Sequence, residues 1–366
     1  MNLLIFLAGI VLAVIAARPN LDQRVRASAI VIQIAILLIA PFVTQSTAIL
    51  FDALTAMCIA YGWNFIGGYT GYASFGNAAF LGLGAFVAAA FMSRQPGHPN
   101  VPWFVGIPLA VVVVAIVAGL LGMALLRLRG QYFSIATLGI FVAMPEVINW
   151  DQLFGDKGLL PNFFGGGLPL NFPLLRDTTF LGIKLSADQH LFYYLGLSTA
   201  LIALLLTVLI IRSKFGYSLI AIRENEEAAE VMGINATRSK VIAFMISAAL
   251  AALGGAVIGY KLTNMTTEAE ALFSSVNNLQ MIIICLIGGL GSVWGPWIGA
   301  FSLFGIQELL RTFSSNEAFL KWEAVVFAAV IIVVVLFLPR GLMWFVRGRE
   351  RLTWRSLRKN LQEFRI

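Results

Sequence analysis

The chain has 366 residues, of which 59% are hydrophobic and 12% charged, with a formal net charge of +7. Average soluble domains are roughly half apolar and about a quarter charged, and a folded chain of this size must still cover itself with polar surface, so an ordinary water-soluble globular protein is excluded. Two cysteines and two histidines leave no disulfide framework, thiol metal site or histidine-based catalytic centre to build on.

Apolar blocks of 16–24 residues recur along the chain. A bilayer core needs about 20 residues of helix to cross. Only helices and closed barrels can span lipid, and these blocks lack the two-residue alternation of barrel strands. The predicted fold is all-α, a polytopic transmembrane helical bundle of ten or eleven spans. In chain order the segments are 2–17, 27–42, 47–66, 77–92, 103–126, 131–149, 190–211, 241–260, 274–290, 294–310 and 323–339. The block Asn2–Ala17 carries no Lys or Arg before its apolar run, as a secretory signal would, and is taken as a membrane helix; without it the count is ten. The stretch 274–310 reads as two spans, or as one helix with a re-entrant piece.

Basic residues orient the bundle. With the N-terminus outside, eighteen of the 25 Lys and Arg residues fall in cytoplasmic segments, among them Arg127, Arg212, Arg223, Lys240 and the cluster after Pro339. That bias predicts a cytoplasmic C-terminus and a plasma (inner) membrane location. The transmembrane domain is then 1–340, with a cytoplasmic loop at 212–240 and an extracytoplasmic loop at 150–189. The latter holds Asp151, Asp156, Gly165, Gly166, Gly167 and Pro169, which is turn chemistry: either a loose connection or a docking surface for a delivered ligand. The basic tail 341–366 spaces Trp354, Leu357, Leu361 and Phe364 on one helical face. It reads as a helix on the anionic membrane surface, or simply as a positive-inside stop signal.

Polar groups within the apolar blocks are few. Asp52, Glu146 and Glu308 lie near the outer ends of their segments, and intramembrane acids otherwise face the protein interior or water. His98 and His190 each sit beside a loop. Cys58 and Cys285 lie inside apolar blocks. No deep carboxylate pair marks a proton or sodium relay, and no G-x-x-x-x-G-K-[ST] loop exists to cradle a nucleotide. ATP, if it powers this protein, binds another chain.

The cytoplasmic loop contains Glu226-Glu227-Ala228-Ala229-Glu230-Val231-Met232-Gly233. Glu, Ala and Met favour helix and Gly233 is a natural stop, so a helix of about two turns is predicted. Small Ala228 and Ala229 would let a partner approach closely; a plain connecting helix is the alternative. Glycines gather at Gly67, Gly68, Gly71, Gly76, Gly82 and Gly84, and again at Gly288, Gly289, Gly291, Gly295 and Gly299. They serve close helix packing, or mark broken helices whose backbone faces a polar substrate. On the second reading the candidate translocation path is Gly68, Gly71, Ser74 and Asn77 with Gly288, Gly289, Gly291 and Ser292.

Several of these stretches carry a resemblance. Glu227-Ala228-Ala229-x-x-x-Gly233 is similar to the core of the coupling loop of ATP-binding-cassette (ABC) importer permeases. The run from Gly68 to Phe86, the run Leu126–Leu138 and Ile287-Gly288-Gly289-x-Gly291-Ser292-x-x-Gly295-Pro296 resemble signatures of the branched-chain amino acid permeases, in order over about residues 45–340. The chain departs from them at Phe75 and Asn77, where Leu and His are common. The resemblance implies a permease that carries neutral, branched-chain amino acids, works with a second homologous permease and two ATP-binding subunits, and is fed by a periplasmic binding protein. It assigns Glu226, Glu227, Ala228, Ala229 and Gly233 to ATPase coupling. ATP and Mg would sit on the partner ATPase, with no cofactor on this chain and no nucleic-acid partner. Related permeases carry urea or short amides, and a secondary transporter independent of ATP is the rival of a different class.

Overall fold

A computed structural model describes residues 1–150, 190–265 and 272–313, apart from residues 20, 45, 94–97, 129 and 263, together with 170–171, 178–180, 183–185, 329 and 341–343. Ten of the eleven anticipated segments form helices: α1 (Asn2–Ala17), α2 (Gln23–Val43), α3 (Ala48–Trp63), α4 (Asn77–Met92), α5 (Trp103–Leu125), α6 (Gln131–Ile148), α7 (Phe192–Ile211), α10 (Ala236–Leu262), α11 (Ser275–Gly288) and α12 (Gly295–Phe313). The span predicted at 323–339 and the tail 341–366 lie outside the described residues, except for 329 and 341–343. Two further helices, α8 (Lys214–Glu224) and α9 (Glu226–Val231), occupy the loop after α7. Among the described residues, six helices are long and apolar enough to cross a membrane by length and composition, and the shorter α1, α4 and α11 are apolar too. The stretch 274–310 resolves into two packed helices, α11 and α12, joined by a tight turn at Gly289 and Gly291, both at positive φ.

Helix placement follows residue size. α3 and α10 form the centre, with 89% and 61% of their most apolar windows buried, against 28–33% for α2, α5, α6 and α7. α10 lies closest to α4 because both are rich in glycine and alanine: Gly84 sits against Ala252, and a methyl on Gly255 would run into the Leu81 carbonyl. Such small-residue contacts let backbones approach where no hydrophobic effect drives helices together. The peripheral helices turn large apolar side chains outward, as with Val112, Ile116, Leu120 and Met123 on α5. In water that stripe would be a liability; in lipid it is the solvent-matched surface.

The two ends of the bundle are chemically distinct. At one end Asp52 pairs with Lys261 at 3.5 Å and Asn2 reaches Glu308 at 3.2 Å. Glu146 is exposed near the C-terminus of α6. At the other end lie Arg223, Glu226 and Lys240. Gly341 also lies there, against Gly289. Much of the loop 150–189 lies outside the described residues. Its described pieces are short strands, with β1 (Leu170–Asn171) antiparallel to β4 (Asn264–Met265) and β2 (Thr178–Phe180) antiparallel to β3 (Ile183–Leu185). The loop therefore touches the segment that leaves α10 beyond Lys261.

Candidate functional site

The third apolar segment does not simply end. α3 runs into a π-helical turn, Asn64–Tyr69, a form that appears mostly as single turns at functional positions. The chain then doubles back through residues 70–76 and enters α4 at Asn77. The Asn77 carboxamide donates to Ser247 Oγ at 2.8 Å. Ser247 lies two helical turns, about 10 Å, along α10 from Lys240. α4 thus begins inside the bundle, and 70–76 is a re-entrant segment.

Backbone outside a helix at this depth must find partners within the protein, and side chains supply them. Ser134 Oγ donates to the Ala73 carbonyl at 2.7 Å. Trp63 Nε1 donates to the Ser74 carbonyl at 2.7 Å. The Phe75 N–H donates to Thr137 Oγ1 at 3.1 Å, and Asn278 Nδ2 donates to the Phe75 carbonyl. Ser74 Oγ accepts from the Gly76 N–H at 3.3 Å and donates to Asn77 Oδ1 at 3.1 Å. Every bond in this lock is between neutral groups. Asn278 is buried, and its Oδ1 has no hydrogen-bond partner among the described residues. Ser74 and Asn77 stood out in the sequence as path candidates; Ser134 and Thr137 fell within the run Leu126–Leu138 without being named as candidates, and Ser247 and Asn278 lay outside every run singled out. Lone hydroxyls in apolar helices commonly bond their own preceding turn, as Thr55 and Thr207 do here, so type alone does not separate the two uses.

The two glycine runs meet. Gly68, at the end of the π-helical turn, abuts Gly291, in the turn between α11 and α12. Asn64 fixes that contact by accepting from the Gly291 N–H at 2.9 Å and donating to the Ser292 carbonyl at 3.1 Å. Tyr61 adds a bond to the Val293 carbonyl at 2.8 Å. Gly288 packs on Gly295, where a methyl would overlap the Gly295 carbonyl. Gly289 is buried at φ 119° and Gly71 is exposed at φ 77°. The same runs thus contain close-packed glycines and glycines at positive φ in the breaks between helices.

The loop 212–240 is held together by local hydrogen bonds. α8 is capped by Ser213, which accepts from the Gly216 N–H at 3.4 Å, and α9 by Asn225, which accepts from the Ala228 N–H at 3.0 Å. α9 ends in a Schellman turn: Ile234 N–H donates to the Ala229 carbonyl at 3.0 Å, Gly233 N–H to the Glu230 carbonyl at 2.9 Å, and Gly233 has φ 86°. Only glycine adopts that backbone without cost. Ile222, Ala229 and Ala236 bury one another in a small separate cluster. Ala229 therefore faces inward, whereas Ala228, Glu227 and Gly233 are exposed. At the tip two adjacent apolar side chains stand out among charged neighbours, Val231 at 86% exposed and Met232 at 82%. Glu226 behaves differently from Glu227. Its carboxylate turns back to Lys240 at 2.7 Å and accepts from the Tyr72 hydroxyl.

At the Asp52 end a cavity of about 250 Å³ opens between α3, α4, α10, α11 and α12. Ile59, Leu81, Ile258, Met281 and Phe304 make its wall apolar, and Asp52, Thr55, Asn277 and Gln280 supply polar groups. None of the glycines named as path candidates lines it, nor do Ser74, Asn77 or Ser292. They lie deeper: Leu81 at the cavity wall stands one turn beyond Asn77 on α4. Cavity and re-entrant lock are thus in series along one side of α4. Among the described residues no group of three or more His, Cys, Asp or Glu could hold a metal.

The family described as "Branched-chain amino acid transport system / permease component" matches residues 45–335. The chain belongs to that family. It is 28% identical to the high-affinity branched-chain amino acid transport system permease protein LivM of Salmonella typhimurium, over 85% of this chain and 73% of that protein. It is 26% identical to the galactose/methyl galactoside import permease protein MglC of Haemophilus influenzae, over 70% and 74% of the two chains. It is 26% identical to the autoinducer 2 import system permease protein LsrC of Salmonella paratyphi B, over 55% and 54%. No solved structure matches. The chain is a multi-pass membrane protein of the permease type, and its relatives carry more than one class of solute.

Proposed function

We propose that this chain is the permease subunit of an ABC importer for neutral, branched-chain amino acids. It sits in the inner membrane with the Lys240 end and the C-terminus in the cytoplasm, in keeping with the bias of basic residues. A second homologous permease completes the membrane unit. Two ATP-binding subunits, which hold ATP and Mg, dock at the cytoplasmic face, and a periplasmic binding protein delivers substrate at the Asp52 end.

The observation that carries this reading is the Val231–Met232 tip. Two apolar side chains stand exposed on a short capped helix that is braced to the re-entrant segment, within the stretch that resembles the importer coupling loop. A surface of that kind favours a protein partner. A helix seated in a groove passes motion as a rigid lever. Glu227, Ala228 and Gly233 share the exposed face with the tip. Ala229 and Glu226 act in coupling from the inner side. The path runs from the cavity past Leu81 to the lock at Ser74 and Asn77, and leaves beside Gly68, Gly71, Gly288, Gly289, Gly291 and Ser292. The cavity supports the substrate class: an apolar wall suits a branched side chain, and Asp52, Asn277 and Gln280 offer partners to an ammonium and a carboxylate.

The test is co-purification of the chain with its neighbours, followed by ATP hydrolysis in proteoliposomes with candidate solutes. Stimulation by leucine, isoleucine or valine with the binding protein present supports the reading. Stimulation by a sugar or an amide alone overturns the substrate. Full transport by this chain alone overturns the mechanism.

A further inference from the structure

Lys240 is 1% exposed, a rare position for a lysine. Its ammonium meets Glu226 Oε1 at 2.7 Å and the Tyr72 hydroxyl at 3.1 Å, and lies 4.5 Å from the centre of the Tyr72 ring. Tyr72 in turn donates to Glu226 Oε2. The three residues belong to three different elements: the first turn of α9, the start of α10, and the re-entrant segment. Beside them Arg223 Nη1, from the end of α8, donates to the Gly68 carbonyl at 3.0 Å.

We propose that Lys240, Glu226 and Tyr72 form a latch that makes α9 and the re-entrant segment move as one body. The proposal rests on the ATP-driven reading above and names how force reaches the path. The Glu226 and Lys240 side chains are 15% and 2% exposed. Parting them would strand a charge with little water to solvate it, which strongly resists separation. The lock two residues further on is of another kind. Ser74, Asn77 and Ser247 share single neutral hydrogen bonds, as do Asn278 and the Phe75 carbonyl. Neutral bonds are roughly half as strong as charge-assisted ones. When the ATPases displace α9, the charged joint holds and the neutral lock yields. Tyr72 is thereby drawn along and the α4 N-terminus is freed from Ser247. Glu226 is a positioning residue in this scheme, not a docking contact, and the Arg223–Gly68 bond guides the same segment at its other end.

The experiment uses the assembled transporter, with both permeases, ATPases and binding protein, in proteoliposomes with radiolabelled leucine. Two variants are compared with wild type. Glu226→Gln combined with Lys240→Met removes both charges at similar volume, and Tyr72→Phe keeps the ring while removing the hydroxyl. ATPase retention, ATP hydrolysis and leucine moved per ATP are read together. The latch predicts that the ATPases stay bound and hydrolyse ATP in both variants, while leucine moved per ATP falls about tenfold in the double variant, as for a coupling free energy of ordinary size. It predicts a smaller fall in the same ratio for Tyr72→Phe. An unchanged ratio in both variants overturns the latch. Loss of the ATPases from Tyr72→Phe, or from a double variant that is still folded, also overturns it and makes this cluster part of the docking surface. Absence of leucine-dependent ATP hydrolysis in the wild type is a separate outcome, which overturns the underlying reading.

Discussion

The exposed tip of α9 allows a quantitative test. Val231 and Met232 are 86% and 82% exposed, so nearly all of their apolar surface is available to a partner. Truncating Met232 to alanine removes the equivalent of two to three methylene groups, and truncating Val231 removes two methyls. At about 0.8 kcal/mol per buried group, full docking would lose about 2 kcal/mol and about 1.5 kcal/mol respectively. Ordering the methionine on docking costs roughly 1 kcal/mol of rotamer freedom that alanine does not lose. The net loss for Val231→Ala with Met232→Ala is about 2–3 kcal/mol, or roughly 30- to 140-fold in Kd. The assay is titration of the detergent-solubilised permease with labelled ATPase subunit. Because both side chains are largely exposed among the described residues, thermal stability of the isolated permease should stay the same. A change in Kd below about twofold, well short of the 2 kcal/mol expected, would refute the claim that this tip docks.

Other expectations concern stability. Gly255→Ala drives a methyl into the Leu81 carbonyl and should cost about 1–3 kcal/mol through overpacking; a thermal melt in detergent equal to wild type would contradict the close α4–α10 contact. Thr137→Val keeps shape but strands the Phe75 N–H, at a cost of about 1–3 kcal/mol, and hydrogen exchange at Phe75 should accelerate. Asp52→Asn breaks only a half-exposed pair with Lys261, worth at most about 1 kcal/mol. A transport defect in that variant at near-normal melting temperature then reports on substrate and not on folding.

Much of the bundle was legible in the sequence, because a helix that crosses lipid must be apolar along its whole length. That requirement makes segments such as 103–126 and 190–211 readable without a partner or a pattern. The predicted helix at Glu226–Gly233 also stands, since Asn225 and Gly233 define its ends by local chemistry. The site was less legible. Thr207 and Thr137 both donate to their own preceding turn, and only Thr137 also accepts from a neighbouring backbone, a difference that residue type does not reveal. The glycine runs announced a break, but not that Gly68 and Gly291 close on each other.

Glu226 and Glu227 mark the boundary between the two kinds of information. Neighbouring and identical in type, they read alike in the sequence, which by itself determined that a short acidic helix stands between two spans on the basic side. Only the tertiary structure turned one toward Lys240 and left the other on the exposed face of the helix. The physical reason is that solvation is fixed locally by composition, whereas pairing depends on which distant elements α10 and the re-entrant segment bring to the same point.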